Sequence, residues 1–381
     1  MRAIFFTVCM AALWIVDLFN ETGLGMTYHT TEIAIGATVV IAIICLASQS
    51  LHEGDVFIKP KYFYTIFPLA ILGLGVLLLS GKSPTLMRLF WPYLLVYIFS
   101  KTRPSHTALR MTALSYAVMG LIVLVVFNFT DFFKGWNPNK IGMLGMASFL
   151  GFTIPFIGMR EWRSFIVMPV IGTAYAILIW PTESRSCCLM IVLQILIVLS
   201  FIPLKQVLKK KTGRIFLLLV PLIVSIAAIL LASFGDISGL TEWSYEKFNK
   251  PLFNGRDQIW LSGYKIWKDH LLFGNANLNT GYWHNSAVAC LTSFGTVGFV
   301  LWICLFYFCV DEGTEYLDDI CVYGSIAAFI VYYCQQSVEI GLFSVKPSVL
   351  PYVMLGVYLG RVNRLKEERK RATGQYSNSR L

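Results

Sequence analysis

Charged residues are scarce. They make up 14% of this 381-residue chain, against roughly 25% in a soluble domain, so most of the chain cannot be surrounded by water. A metal or disulfide framework is also missing. Cys9, Cys45, Cys187, Cys188, Cys290, Cys304, Cys309, Cys321 and Cys334 sit in or at the ends of apolar runs. No Cys-x-x-Cys pair or His/Cys cluster with zinc spacing occurs. These cysteines read as small packing residues. Gly81-Lys82-Ser83 lacks the glycine that a phosphate-binding loop carries five positions earlier, where Val76 stands, which excludes that motif. The net charge of +10 comes from basic residues scattered between apolar runs. Without a basic stripe, nucleic acid is not an expected partner.

Apolar runs fill the space that the charges leave. Hydrophobic residues reach 56% and aromatics 15%, with a mean hydropathy of +0.66. The runs fall at 4–18, 33–48, 63–80, 86–100, 111–129, 141–158, 165–180, 187–203, 215–234, 287–310, 320–340 and 346–360. Several approach the about 20 residues that a span needs, and others are shorter. The expectation is an all-α polytopic membrane protein with about 12 transmembrane helices. The first run has no small-residue cleavage pattern after it and reads as a span, not a signal peptide. Lys59, Lys61, Lys101, Arg103, Arg110, Arg160, Arg163, the cluster from Lys205 to Arg214 and the tail after Gly360 fall on one side. The positive-inside rule makes that side cytoplasmic and puts both termini there. The expected layout is nine spans over 1–234, an extracytoplasmic loop over 235–286, three spans over 287–360 and a basic cytoplasmic tail over 361–381.

The loop is the one long polar segment, and it gathers the unusual chemistry. Asn254 reads as a helix N-cap, with Asp257 completing a capping box. Trp260, Tyr264, Trp267 and Leu271 then recur at helical spacing, and Gly274 is placed to stop the helix. The pattern predicts an amphipathic helix lying on the outer membrane surface. Arg256 falls in its first turn, where the helix dipole disfavours a cation unless an anion binds beside the free N–H groups. A headgroup anchor or an ion pair with Asp257 would account for Arg256 equally. Arg185 follows Pro181-Thr182-Glu183-Ser184 at an outer span edge, where it either pairs with Glu183 or binds an anion. His284 can accept a proton from a hydroxyl, and Asn285 can fix a neighbouring group. An interfacial histidine packed beside Trp283 is the plainer alternative. Glu339, with Gln335 and Gln336, is an ionisable or polar group in a span and so a candidate for lining a cavity.

Taken in order, these elements resemble a family. Many spans, Ser184-Arg185 at an outer span end, the loop wording Asn254-Gly255-Arg256-Asp257-x-Ile259-Trp260, the Leu272-Phe273-Gly274 turn and His284-Asn285 before a span bearing Gly295 and Gly298 are similar to the O-antigen ligase and polysaccharide polymerase family. The likeness runs from about Thr182 to Gly298; before it only the spans and Asn137-Pro138-Asn139 are similar. One departure is Gly274-Asn275-Ala276, where the family often carries a second glycine. The resemblance implies a fold like that of C-type glycosyltransferases and needs no metal or cofactor. It implies a lipid-linked oligosaccharide substrate on undecaprenyl diphosphate, at the outer face of the bacterial cytoplasmic membrane. Arg185 and Arg256 would hold the diphosphate, and His284 would be the general base. A flippase and a chain-length regulator are the implied partners. The loop wording and its short length favour a polymerase over a ligase that loads lipid A core. Outside enzymes, a transporter or flippase of lipid-linked sugars is the rival; the absence of a repeat between the two halves speaks against a transporter.

Overall fold

In lipid, a backbone must satisfy its own N–H and C=O groups, and for long apolar runs the helix is the simplest solution. The computed structural model describes residues 2–22, 36–41, 43–45, 67–68, 71–72, 74–75, 93–157, 162–248, 250–275, 283–342 and 348–372. No strand occurs among them. The helices are α1 (Arg2–Thr22), α2 (His106–Phe129), α3 (Pro138–Thr153), α4 (Trp162–Ile179), α5 (Arg185–Val198), α6 (Leu204–Lys209), α7 (Lys211–Phe234), α8 (Ser238–Phe248), α9 (Arg256–Asp269), α10 (Ser286–Asp311), α11 (Ile320–Gln335) and α12 (Val349–Ala372). Among the described residues, five stretches are long and apolar enough to cross a membrane: Arg2–Phe19, His106–Phe129, Phe165–Thr182, Lys211–Phe234 and Ser286–Tyr316. Shorter apolar helices lie at Gly36–Cys45, Arg185–Val198 and Ile320–Gln335. The chain is an all-α, multi-pass membrane protein. The run expected at 63–80 falls largely, and Gly81-Lys82-Ser83 wholly, outside the described residues; of the run 86–100, residues 93–100 are described and helical.

Helices on the periphery and in the middle differ in what they expose. Along α7, Phe216, Ile223, Ile226, Leu230 and Leu231 are exposed, which lipid can cover and water cannot. By contrast, α3 is buried continuously from Ile141 to Thr153, as is most of α11. Close approach depends on small residues, as between membrane helices generally. A Cβ added at Gly324 of α11 would stand 2.0 Å from the Ile154 carbonyl oxygen, so this contact is backbone against backbone.

One end of the bundle is tied by ion pairs. Arg214 reaches Asp311 at 2.7 Å, Arg361 reaches Asp319 at 2.6 Å and Lys205 reaches Asp318 at 2.5 Å; Lys366 pairs with Glu312 and Arg103 with Glu367. The acidic segment 311–319, which carries no base of its own, thus takes counter-charges from the basic segments around 205–214 and 361–366. Since α7 starts at Lys211 and runs for 24 residues, about 36 Å at 1.5 Å per residue, the loop after it lies at the opposite end.

Several boundaries differ from the sequence reading. α5 stops at Val198, and Ser200 takes a left-handed φ of 63°, so the run 187–203 is a short helix and a turn. α11 ends at Gln335, which leaves 336–342 irregular where a span to 340 was expected. α12 continues as helix to Ala372, past the expected tail boundary at 360. The loop 235–286 holds two helices where one was expected. α10 is broken at Gly295 (φ 65°, ψ −165°). The amides freed there are not left bare: Thr296 donates to the Leu271 carbonyl at 2.8 Å and Val297 to that of Leu272 at 3.1 Å. A Cβ on Gly295 would stand 2.3 Å from the Leu272 oxygen. The Leu272-Phe273-Gly274 turn is therefore a plug for this break.

Candidate functional site

Each charged group of the site is delivered by the start or end of a helix. α9 begins differently from its sequence pattern. Asn254 (φ 53°) and Gly255 (φ 73°) are both left-handed, and Gly255 is the N-cap, without any side-chain cap. The Asn254–Asp257 capping box does not form, because the left-handed pair swings the chain so that Arg256 is the first helical residue. The aromatic stripe is also not on lipid. Trp260 is 1% exposed and its Nε1 donates to the Trp283 carbonyl at 2.6 Å. Gly263 lets Val288 and Trp283 approach, with a Cβ there standing 2.5 Å from Val288. The Tyr264 hydroxyl lies 2.6 Å from Ser225 Oγ on α7. α9 docks its apolar face on α7 and α10 because its polar ring atoms find partners there. Leu271 falls beyond the helix and is half exposed; the helix ends at Asp269, before Gly274.

α5 starts in the same manner. Glu183 adopts φ 56° after a short 3-10 turn, and Ser184 is an N-cap whose side chain makes no cap. Its hydroxyl donates instead to Asn139 Oδ1 at the start of α3, at 3.0 Å. Arg185 is the first helical residue. Its Nη1 donates to Ser244 Oγ at 2.8 Å and its Nη2 to the Pro251 carbonyl at 3.4 Å. Glu183 pairs with Lys250. Arg185 and Arg256 thus share one design: each opens a helix that no side chain caps, where backbone N–H groups and the helix dipole already favour an anion. The two guanidiniums are close enough to feel each other's charge.

Glu339 joins the second arginine to the histidine. Beyond α11, Gln336 Oε1 accepts from Ser286 Oγ (3.0 Å) and from the amides of Gly341 (2.6 Å) and Leu342 (2.9 Å), which fixes the irregular segment against the start of α10. From it, Glu339 Oε1 accepts from Arg256 Nη2 at 2.6 Å, and Oε2 lies 3.3 Å from His284 Nδ1. Burial works against the carboxylate. The hydrogen bond from His284 and the charges of Arg256, His284 and Lys140 outweigh it, and the carboxyl is held below its usual range. His284 itself has φ 45°, and its side chain is 37% exposed. With Nδ1–H given to Glu339, the imidazole keeps Nε2 as an acceptor for a second partner.

Of the residues singled out in the sequence, Arg256, Glu339 and His284 are therefore joined directly, while Arg185 is held by Ser244 and the Pro251 carbonyl, near enough for the charge of Arg256 to act on it. Asn285 makes its hydrogen bonds elsewhere. It is fully buried, donates to the Pro221 and Ser337 carbonyls at 2.8 Å each, and caps α10 by accepting from Ala287 and Val288. Gln336 is likewise spent on backbone, and its Nε2 donates to Gln335 Oε1 at 2.7 Å. Gln335 keeps a buried Nε2 with no partner among the described residues. Sequence reasoning missed Ser244 and Lys250, which hold the Arg185 side, and noted Asn139 only within the Asn137-Pro138-Asn139 likeness. Only Asn139 carried a signal, as the residue after an Asn-Pro helix start. No group of three or more His, Cys, Asp or Glu suited to a metal ion occurs among the described residues.

No protein-family model matches this chain, and no curated protein matches it.

The Glu339 links carry a stability prediction. A carboxyl whose folded pKa is depressed contributes stability above its unfolded pKa and loses it as pH falls through the folded value. Glu339→Gln should therefore lower stability in detergent by about 1–3 kcal/mol at pH 7, the worth of hydrogen bonds to a charged group. The gap between wild type and variant should persist down to about pH 4.3, the ordinary glutamate pKa, and close only below it. Thermal unfolding across pH checks this; a gap that closes near pH 6 would deny the depressed carboxyl.

Proposed function

We propose that this protein is a membrane glycosyltransferase that polymerises oligosaccharide repeat units carried on undecaprenyl diphosphate. The observation that carries this reading is the Arg256–Glu339–His284 cluster, with Glu339 bridging its partners at 2.6 and 3.3 Å, beside Arg185 at a second uncapped helix start. Two cations at uncapped helix starts suit a diphosphate, and an oriented imidazole next to them suits a hydroxyl nucleophile.

In this mechanism the donor diphosphate lies against Arg185 and Arg256. Glu339 holds His284 Nδ1–H, so Nε2 takes the proton from the acceptor hydroxyl. The acceptor oxygen bonds to the anomeric carbon as the bond from that carbon to the phosphate oxygen breaks. The electron pair leaves with the diphosphate, where the guanidiniums stabilise it. The anomeric configuration inverts. Diphosphate is already a competent leaving group, so the step calls for no metal or cofactor. A bundle of about 12 spans with the C-type glycosyltransferase arrangement belongs to the same proposal.

The proposal requires the 235–286 loop outside and both termini in the cytoplasm. A membrane-impermeant thiol probe should label Thr241→Cys in intact spheroplasts and spare Thr373→Cys; the reverse pattern would put the site on the wrong side for the donor.

Deleting the gene tests the function. Loss of a polymerase leaves surface glycan capped at one repeat. Loss of a ligase leaves long glycan on its lipid carrier. Loss of a transporter or flippase holds single lipid-linked repeats in the cytoplasmic leaflet. Single-repeat surface glycan is the expected result, and either other outcome overturns the polymerase reading.

A further inference from the structure

A cavity of about 350 Å³ is lined in part by Arg185. It is built where the α4–α5 turn meets the loop. Trp180 and Glu183 come from the turn, Arg185 from the start of α5, and Glu246, Lys247 and Lys250 from α8 and the chain after it. Arg256, His284 and Glu339 are not among its lining residues. Its volume is at the low end of the roughly 300–1,000 Å³ of small-molecule sites, which suits a short polar ligand and not an isoprenoid tail.

The lining is chemically mixed. Arg185, Lys247 and Lys250 donate; Glu183 and Glu246 accept. Glu183 is already paired with Lys250, and two carboxylates beside the cations disfavour a second phosphate there. A ligand that both donates and accepts without a strong charge of its own fits this set. Trp180 adds an apolar face, 55% exposed, for flat C–H surface to lie on. A pyranose offers hydroxyls around its rim and C–H groups on its faces, which is the same combination. The wall is also rigid where it matters. Ser244, fully buried, accepts from Arg185 and donates to the Lys250 carbonyl at 2.8 Å, so α8 and the Arg185 turn are fastened together.

We propose that this cavity is a glycan subsite, holding a sugar of the repeat unit beside the diphosphate-binding arginines. The proposal rests on the glycosyltransferase reading for what brings the sugar there, but the binding can be tested without the reaction. Because Arg185 is shared between the cavity and the diphosphate cradle, an occupied subsite would set the distance between a sugar and the reacting phosphate.

The probe is the host's own repeat unit cut from its carrier by mild acid, which removes lipid and diphosphate together. Binding to the purified full-length protein is measured by isothermal titration, beside inorganic diphosphate as a separate probe. Trp180→Ala and the paired Glu246→Gln, Lys247→Met variant should each weaken binding of the free repeat about tenfold, a difference of about 1.4 kcal/mol. Trp180→Phe should restore most of it. Diphosphate binding should be unchanged in all three, which also shows that they fold. The same variants should raise KM for the lipid-linked repeat and leave kcat near wild type. A free repeat that binds Trp180→Ala as tightly as wild type overturns the subsite. So does one that fails to bind wild type, or a Trp180→Ala variant that loses diphosphate and not the repeat. Wild-type protein that binds the free repeat yet joins no lipid-linked repeats sinks the transferase reading and leaves the sugar site standing.

Discussion

Reconstituted with purified lipid-linked repeat units, His284→Ala should transfer about 10²–10⁴-fold more slowly than wild type, the usual worth of a positioned base. Donor binding should stay near wild type, because the diphosphate contacts belong to the arginines. The effect is expected to be large for a geometric reason. Glu339 fixes the imidazole through Nδ1, and the left-handed backbone at His284 sets it at the turn before α10. His270→Ala is the control: that residue follows the last turn of α9 as its C-cap and should change transfer little. A His284→Ala protein that polymerises near the wild-type rate would make the loop a docking surface without chemistry.

The arginines should be nearly as sensitive. Arg256→Lys and Arg185→Lys keep the charge and lose the planar fork. Each should cut transfer by roughly 10²-fold, by analogy with removing one donor to a developing anion, with protein level and membrane insertion unchanged. The two positions differ in what else they lose. A lysine at 185 cannot hold Ser244 and the Pro251 carbonyl together, as the guanidinium does. A lysine at 256 can still meet Glu339, but only as a point charge. If both serve one diphosphate, the double variant should fall short of the sum of the single effects. Full activity in both lysine variants would reduce the arginines to structural ties, to Ser244 and Pro251 in one case and to Glu339 in the other.

The membrane class was legible because spans are written in composition, and the run 215–234 ends where α7 ends, at Phe234, with the helix starting four residues earlier at Lys211. Arg256 at a helix start was legible too, since the aromatic spacing from Trp260 defines the register. Its partner was not. Glu339 lies far along the chain, beyond a helix whose end at Gln335 is set by Gln336 binding the amides of Gly341 and Leu342, a tertiary contact with no local signature. The capping box failed for a related reason. Asn-Gly supports a left-handed turn as readily as a cap, and docking of Trp260 against Trp283 selects the turn. The same docking moved the amphipathic face from lipid to protein, since periodicity reports that a face is apolar and not what covers it. Asn285 reads in the sequence as a residue that can fix a neighbouring group, and in the structure its amide is taken up by capping α10 and by two carbonyls.

The most direct measurement is a single turnover by the purified protein alone, with one lipid-linked repeat as donor, a second as acceptor and a chelator present. One new glycosidic bond of inverted configuration should appear for each undecaprenyl diphosphate released, and the paired Arg185→Lys, Arg256→Lys protein should give both at least roughly 10²-fold more slowly. Release of no lipid diphosphate by the wild-type protein, or a new bond with retained configuration, would contradict transfer at the Arg185–Arg256–His284 site.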